Sequence, residues 1–186
     1  MEPVEISQPC YRRDVAVLLN QASNLRFRLE FAGRASDGVR TPASLRGEAA
    51  VERYRHRPTT GEHGFVPLLR LPEVTVLDLD LIHFLEGLEA LLDSEQPGAA
   101  ALESSAEGPI FLRVTGGPDA YQIEAGLDLR SLLEAVGGQA GERGSDVALF
   151  RFFANARAAV AFCAALLDEF ARYPTDPSRV SPGEAG

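Results

Sequence analysis

The side chains able to do chemistry are few, and their spacing narrows what they can do. The histidines are His56, His63 and His83, and the cysteines are Cys10 and Cys163. None falls into a His-Glu-x-x-His, Cys-x-x-Cys or EF-hand spacing, so no common metal-ligand pattern is met. His56 and His63 flank a Pro-Thr-Thr-Gly segment that could fold onto a metal, but the favoured expectation is two solvated loop histidines. His83 lies one helical turn from Glu86, the spacing of a surface pair. Cys163 sits among alanines and phenylalanines, where a thiol behaves as a small hydrophobe. No Gly-x-Ser-x-Gly elbow surrounds any serine, and Ser104-Ser105 falls in a linker-like stretch. Carboxylates pair at Asp78/Asp80, Glu86/Glu89 and Asp168/Glu169. General acid–base work needs one member of a pair out of water, whereas these are expected at a helix start or on polar helix faces. The glycines at 137–144 precede a strand rather than a helix, which is not a phosphate cradle. The expectation is a protein that is not an enzyme, with no catalytic, cofactor-binding or metal-binding residue and no cofactor.

Composition points the same way. The chain has 186 residues, 45% of them apolar, enough for one domain with a sizeable core. Its 18 cations are all arginine against 27 acids, for a net charge of −9. Without lysine there is no Schiff base and no phosphate-loop lysine. Strong acidity argues against nucleic-acid or anionic-membrane binding and would steer a basic protein partner. The Met1–Glu5 segment has no basic n-region, and the longest nearly apolar run, Ala158–Leu167, is far short of the about 20 residues that span a bilayer. A cytoplasmic location is expected, and arginine without lysine suggests a GC-rich bacterial coding genome.

The elements that would position these residues follow from hydrophobic period. Leu25-Arg26-Phe27-Arg28-Leu29-Glu30-Phe31 alternates strictly and predicts a half-buried strand. A second strand is expected over Leu45–Tyr54, then a proline-rich loop over His56–Pro72, then a short strand Val74–Leu77. Val15–Leu19 could be strand or helix. Leu81, Leu85, Leu88 and Leu92 form one stripe of a helix entered at Asp78 or Asp80, either of which could cap it. Residues 94–109 read as a linker. Ile110–Thr115 and Tyr121–Leu129 form a hairpin across Gly116–Asp119, a helical turn is expected at Arg130–Val136, and Val147–Phe153 reads as a central strand covered on both faces. Asn155 should cap a helix to Arg172 with Val160, Cys163, Leu167 and Phe170 as its stripe, widened by Phe162 and Leu166. Residues 175–186 read as a disordered tail. The two halves, 25–93 and 110–173, are similar enough to suggest a duplicated ββ-β-α unit. Together they predict one α+β domain over 1–174, an antiparallel sheet of about six strands with two helices on one face.

The uncovered face of such a sheet would carry Arg26, Arg28, Arg113, Gln122, Glu124 and Asp128, with Glu30 among them. Arginines on rigid strands make directional, bidentate contacts, so these are the candidate partner-binding residues. The order of Ala101-Leu102-Glu103, Ile110–Val114, Tyr121–Ala125, Leu149–Phe153 and the helix ending Leu166–Phe170 resembles the WapI-type bacterial immunity proteins over residues 74–174. That resemblance implies a small protein that neutralises a partner toxin. The expected function is therefore a non-enzymatic protein-binding domain of immunity-like type, with a structural or assembly subunit of a larger bacterial complex as the alternative.

Overall fold

The computed structural model describes residues 15–34, 43–56, 61, 63–103, 110–117, 119–128 and 147–174. Among them the chain forms two four-stranded antiparallel sheets, each a meander followed by a helix. The first contains β1 (Ala16–Leu19), β2 (Leu25–Arg34), β3 (Ser44–His56) and β4 (His63–Leu77), and leads into α1 (Asp78–Asp93). The second contains β5 (Gly98–Glu103), β6 (Ile110–Gly117), β7 (Ala120–Asp128) and β8 (Val147–Ala154), and leads into α2 (Ala156–Arg172). The α+β class expected from the sequence is present, but as two sheets of four rather than one of about six. The helical turn at 130–136, the glycines at 137–144, Ser104-Ser105, Cys10 and the tail 175–186 lie outside the described residues.

Three departures from the periodicity have physical causes. His63–Leu77 is a single strand rather than a loop, because β4 lies at a sheet edge, where a missing proline N–H need not cost a ladder bond. The β3–β4 register shifts between Gly47 and Ala49 and between Val51 and Glu52, next to Pro72 and Pro67 respectively. Such bulges absorb the prolines. Gly98–Glu103 is a strand despite three alanines, since Ala100 and Leu102 are buried against β6 and α1. Strand preference largely reflects fit to a half-buried surface, and alanine fits here. The third departure is β8, which is an edge strand paired only with β7; Leu149 and Phe153 on its outer side are each 53% exposed.

Apolar residues of both sheets and both helices make one contiguous cluster. Each helix reaches across the molecule to form it. α1 packs against β5 of the second sheet, and α2 against β1 of the first. Phe162 on α2 meets Phe27 on β2 edge-on, ring centroids 6.4 Å apart, a favoured aromatic geometry. The buried stripe of α2 is Ala159, Phe162, Cys163, Leu166 and Glu169, whereas Val160 and Leu167 face outward. The expected stripe was thus rotated by about one position, because α2 docks on β1 and turns Phe162 onto Phe27 of β2. In α1 the expected stripe holds, with Leu81, Leu85 and Leu88 buried and Leu92 partly so, joined by Phe84 and Leu91.

The helix starts differ. Neither Asp78 nor Asp80 caps α1; Leu77 occupies the cap position with no side-chain cap bond. Asp78 instead accepts from Arg34 Nη1 at 2.6 Å, and its backbone N–H donates to the Ala43 carbonyl at 2.9 Å. In α2, Asn155 Oδ1 accepts from the Ala158 N–H at 2.9 Å, as expected. Asn155→Ala should cost about 1 kcal/mol, read as a lowered urea midpoint with unchanged slope.

One corner ties the halves together. Arg34, at the end of β2, donates to Asp78 at the start of α1 and to the carbonyls of Tyr173 and Pro174 beyond α2. Tyr173 donates its hydroxyl to the Phe31 carbonyl at 3.1 Å. Beside it the Glu169 carboxylate accepts the Phe31 N–H at 2.8 Å. The paired residues of β1 reach only to Ala16 opposite Leu29, so Glu169 supplies the acceptor that no β1 partner provides for Phe31.

Candidate functional site

The outer face of the first sheet carries a cross-strand mesh of charges. Arg26 stands opposite Glu52, Arg28 opposite Ala50, and Ala50 opposite Arg70. The small Ala50 side chain leaves room for the Arg28 guanidinium, which reaches Glu30 on its own strand and Glu48 on β3, with Glu52 at 3.5 Å. Arg26 Nε meets Glu52 at 2.5 Å. Arg70 on β4 donates to the same Glu48 that Arg28 holds, its Nε at 3.0 Å. Three arginines and three glutamates thus interlock into a neutral network. Burial pushes the Glu48 carboxyl up, but the hydrogen bonds and positive charges of Arg70 and Arg28 outweigh it and hold the group below the usual glutamate range. A groove of about 530 Å³ opens along this mesh, lined by Arg28, Glu30, Arg46, Gly47, Glu48, Arg70 and Glu73 among others. At its side Arg46 Nε lies 3.3 Å from Glu73.

Towards the connecting end of the β3–β4 hairpin the same face becomes aromatic. Arg26 lies over the Phe65 ring, 4.0 Å from its centroid, a cation–π contact. Phe65 meets Tyr54 edge-on at 5.5 Å. Arg, Tyr and Phe presented together on a rigid sheet are the residue types that anchor protein interfaces.

The remaining sequence candidates lie on the second sheet. Arg113, Glu124 and Arg151 stand in one cross-strand row. Glu124 accepts from Arg151 at 2.6 and 2.8 Å and from Gln122 Nε2 at 3.2 Å. Arg113 turns away from Glu124 toward Glu103 at 3.7 Å and the Phe111 ring at 5.2 Å. Asp128 pairs through its backbone with Val147 at the far end of β7. The candidates are therefore divided between two sheets: Arg26 and Arg28 stand together, and Arg113, Gln122 and Glu124 stand together. The division arises because α1 separates β4 from β5 in the chain, so the β-strands pair within each half.

Sequence reasoning missed Glu48, Glu52, Phe65, Arg70 and Arg151 as members of these faces. For β3 the signal was present, since Arg46, Glu48, Glu52 and Tyr54 recur at even spacing, but Ala49-Ala50 hid the alternation. Phe65 and Arg70 could not be placed while residues 56–72 read as a loop.

The other reactive groups have structural surroundings. Cys163 is buried, and desolvation, then the charge of Glu89, pushes its thiol up to about 11, the behaviour of an inert core cysteine. His83, Glu86 and Glu89 are exposed on α1. Glu169, expected on a polar helix face, is 1% exposed. Burial raises its carboxyl to about 7 against the opposing effect of the Phe31 and Ala16 backbone amides. Among the described residues no three histidine, cysteine or acidic side chains gather as a metal site, and no helix is long and apolar enough to cross a membrane. Comparison of the chain with protein-family models, with curated proteins and with solved structures finds no significant match.

Proposed function

We propose that this chain is a non-enzymatic, cytoplasmic protein-binding domain of immunity-like type, which blocks a basic partner toxin by contact through its outer sheet faces. The observation that carries this reading is the Arg26–Arg28–Arg70 mesh with its aromatic end. The arginines there are held in place by glutamates on neighbouring strands, so little side-chain entropy is lost when a partner docks. The net charge of −9 favours fast encounter with a basic protein.

The test is affinity capture from the native host, followed by assay of the captured protein's activity with and without this chain. Charge reversal at Arg70, which is 57% exposed at its side chain, and at Arg113 and Glu124 addresses the two faces separately. Loss of roughly tenfold or more in affinity from either set, with the circular dichroism unchanged, would locate the interface. Full binding by both sets would refute the assignment to these faces.

A second reading, a subunit of a larger bacterial assembly, is favoured by the apolar side chains left outside. Leu149, Phe153 and Val160 are each 53% exposed and neighbour one another in sequence across β8 and α2. A stable higher-mass species formed by the purified chain would support it.

A further inference from the structure

The hairpin β3–β4 places His56 and His63 directly opposite each other, at the last paired position before the connecting residues. They were expected to be solvated loop histidines; the structure places them on paired strands, and the register sets them opposite each other. Side chains directly opposite in an antiparallel pair have Cβ atoms about 4.5–5.5 Å apart and share one face. The two imidazole centroids are 6.4 Å apart, and both residues are exposed, which leaves the His56 ring room to turn toward its neighbour. A metal bonded at about 2.0–2.1 Å to one nitrogen of each ring lies roughly 3 Å from each centroid. The observed spacing therefore straddles a single ion after a small closing rotation.

Two further observations prepare the site. His63 Nδ1 lies 3.2 Å from the Gly61 carbonyl. A carbonyl only accepts, so this contact places the ring proton on Nδ1 and leaves the Nε2 lone pair available. A ligating histidine commonly holds its second nitrogen in this way. The carbonyl is presented there because Gly61 has φ +68°, a left-handed turn natural to glycine. The Tyr54 ring lies beside that of His63, tilted to it with centroids 6.4 Å apart.

We propose that His56 and His63 form a cross-strand bis-imidazole site for a borderline divalent transition metal. Neutral imidazole suits nickel, copper and zinc and does not suit hard cations such as magnesium. Among the described residues no third protein ligand joins the pair, so water completes the coordination. The bound ion would clamp β3 to β4 at the aromatic end of the first sheet. The inference stands apart from the proposed protein-binding role.

Ni²⁺ alone is the probe, titrated into the full chain by calorimetry, with the thermal midpoint followed in parallel. The expected result is one Ni²⁺ per chain and a raised midpoint, because the pair is brought together only in the folded hairpin. His56→Ala and His63→Ala should each weaken binding by roughly tenfold to a hundredfold, through loss of the chelate. His83→Ala should bind as the parent does, and Mg²⁺ should produce no shift. Nickel binding equally strong in His56→Ala and His63→Ala, binding lost in only one of them, or no binding at millimolar Ni²⁺ would each overturn the proposal. Both variants alter exposed side chains, and circular dichroism checks that they fold.

Discussion

Replacing Gly47 by alanine should destabilise the protein by about 3 kcal/mol or more, among the larger effects of a single methyl group. Gly47 lies in β3 opposite Phe31, beside the β2–β3 register shift between Phe31 and Gly33, and the β2 backbone passes close to it there. A Cβ on Gly47 would stand 2.1 Å from the Glu30 carbonyl oxygen and 2.8 Å from the Phe31 Cα. Both are backbone atoms of β2, so no side-chain rotation relieves the overlap and the strands must part. Parting them also disturbs the Phe31 amide that Glu169 holds and the Glu30 and Glu48 carboxylates that Arg28 bridges. Chemical denaturation of Gly47→Ala measures the loss. Gly64→Ala is the control: nothing lies within 4 Å of a Cβ there, and it should change stability by less than about 0.5 kcal/mol. Equal stability of the two variants would show that β2 and β3 are not so closely apposed.

Replacing Glu169 by glutamine should stabilise the protein at pH 8 and flatten its stability profile near neutrality. Burial raises the carboxyl from the ordinary 4.5 to about 7, with Glu30 adding to the rise and the amides of Phe31 and Ala16 and the Arg172 charge opposing it. The folded state therefore binds more protons than the unfolded chain between pH 4.5 and about 7. Stability consequently falls as pH rises through that window. The contribution of the protonated group is complete below pH 4.5 and gone above about pH 7. The shift bounds the effect at about 3 kcal/mol. Glutamine keeps an acceptor for the Phe31 N–H and carries no charge. Unfolding free energies measured from pH 4.5 to 8 should show the parent falling relative to Glu169→Gln, with the gap largest at pH 8. Parallel curves would mean that Glu169 titrates as a solvated carboxylate. Glu48 works in the opposite sense: its carboxyl is held low by Arg70 and Arg28 despite burial, so its contribution is present at neutral pH and is lost on acidification below the usual glutamate range.

The sequence by itself determined the elements whose information is local. Leu25–Phe31 alternates because one side of β2 faces the core, and that period is written into seven consecutive residues. Asn155 caps α2 through an amide three residues away, and the leucine stripe of α1 is buried as its spacing requires. The charges of Arg26 and Arg28 were legible as an outward face for the same reason.

Tertiary structure decided everything that depends on what stands beside a residue. Pro67 and Pro72 fit a strand only because β4 is an edge with bulges opposite it. Ala100 becomes a strand residue only because α1 from the other half covers it, and Glu169 leaves water only because α2 crosses to β1. Glu48, Glu52 and Arg70 join the arginine mesh, and His56 meets His63, through strand register. Register brings together residues far apart in sequence and is set by long-range packing of the apolar faces and the turns between strands. Period reports which side of an element is buried; it carries no information about which element does the burying, and that choice produced both the divided charge faces and the histidine pair.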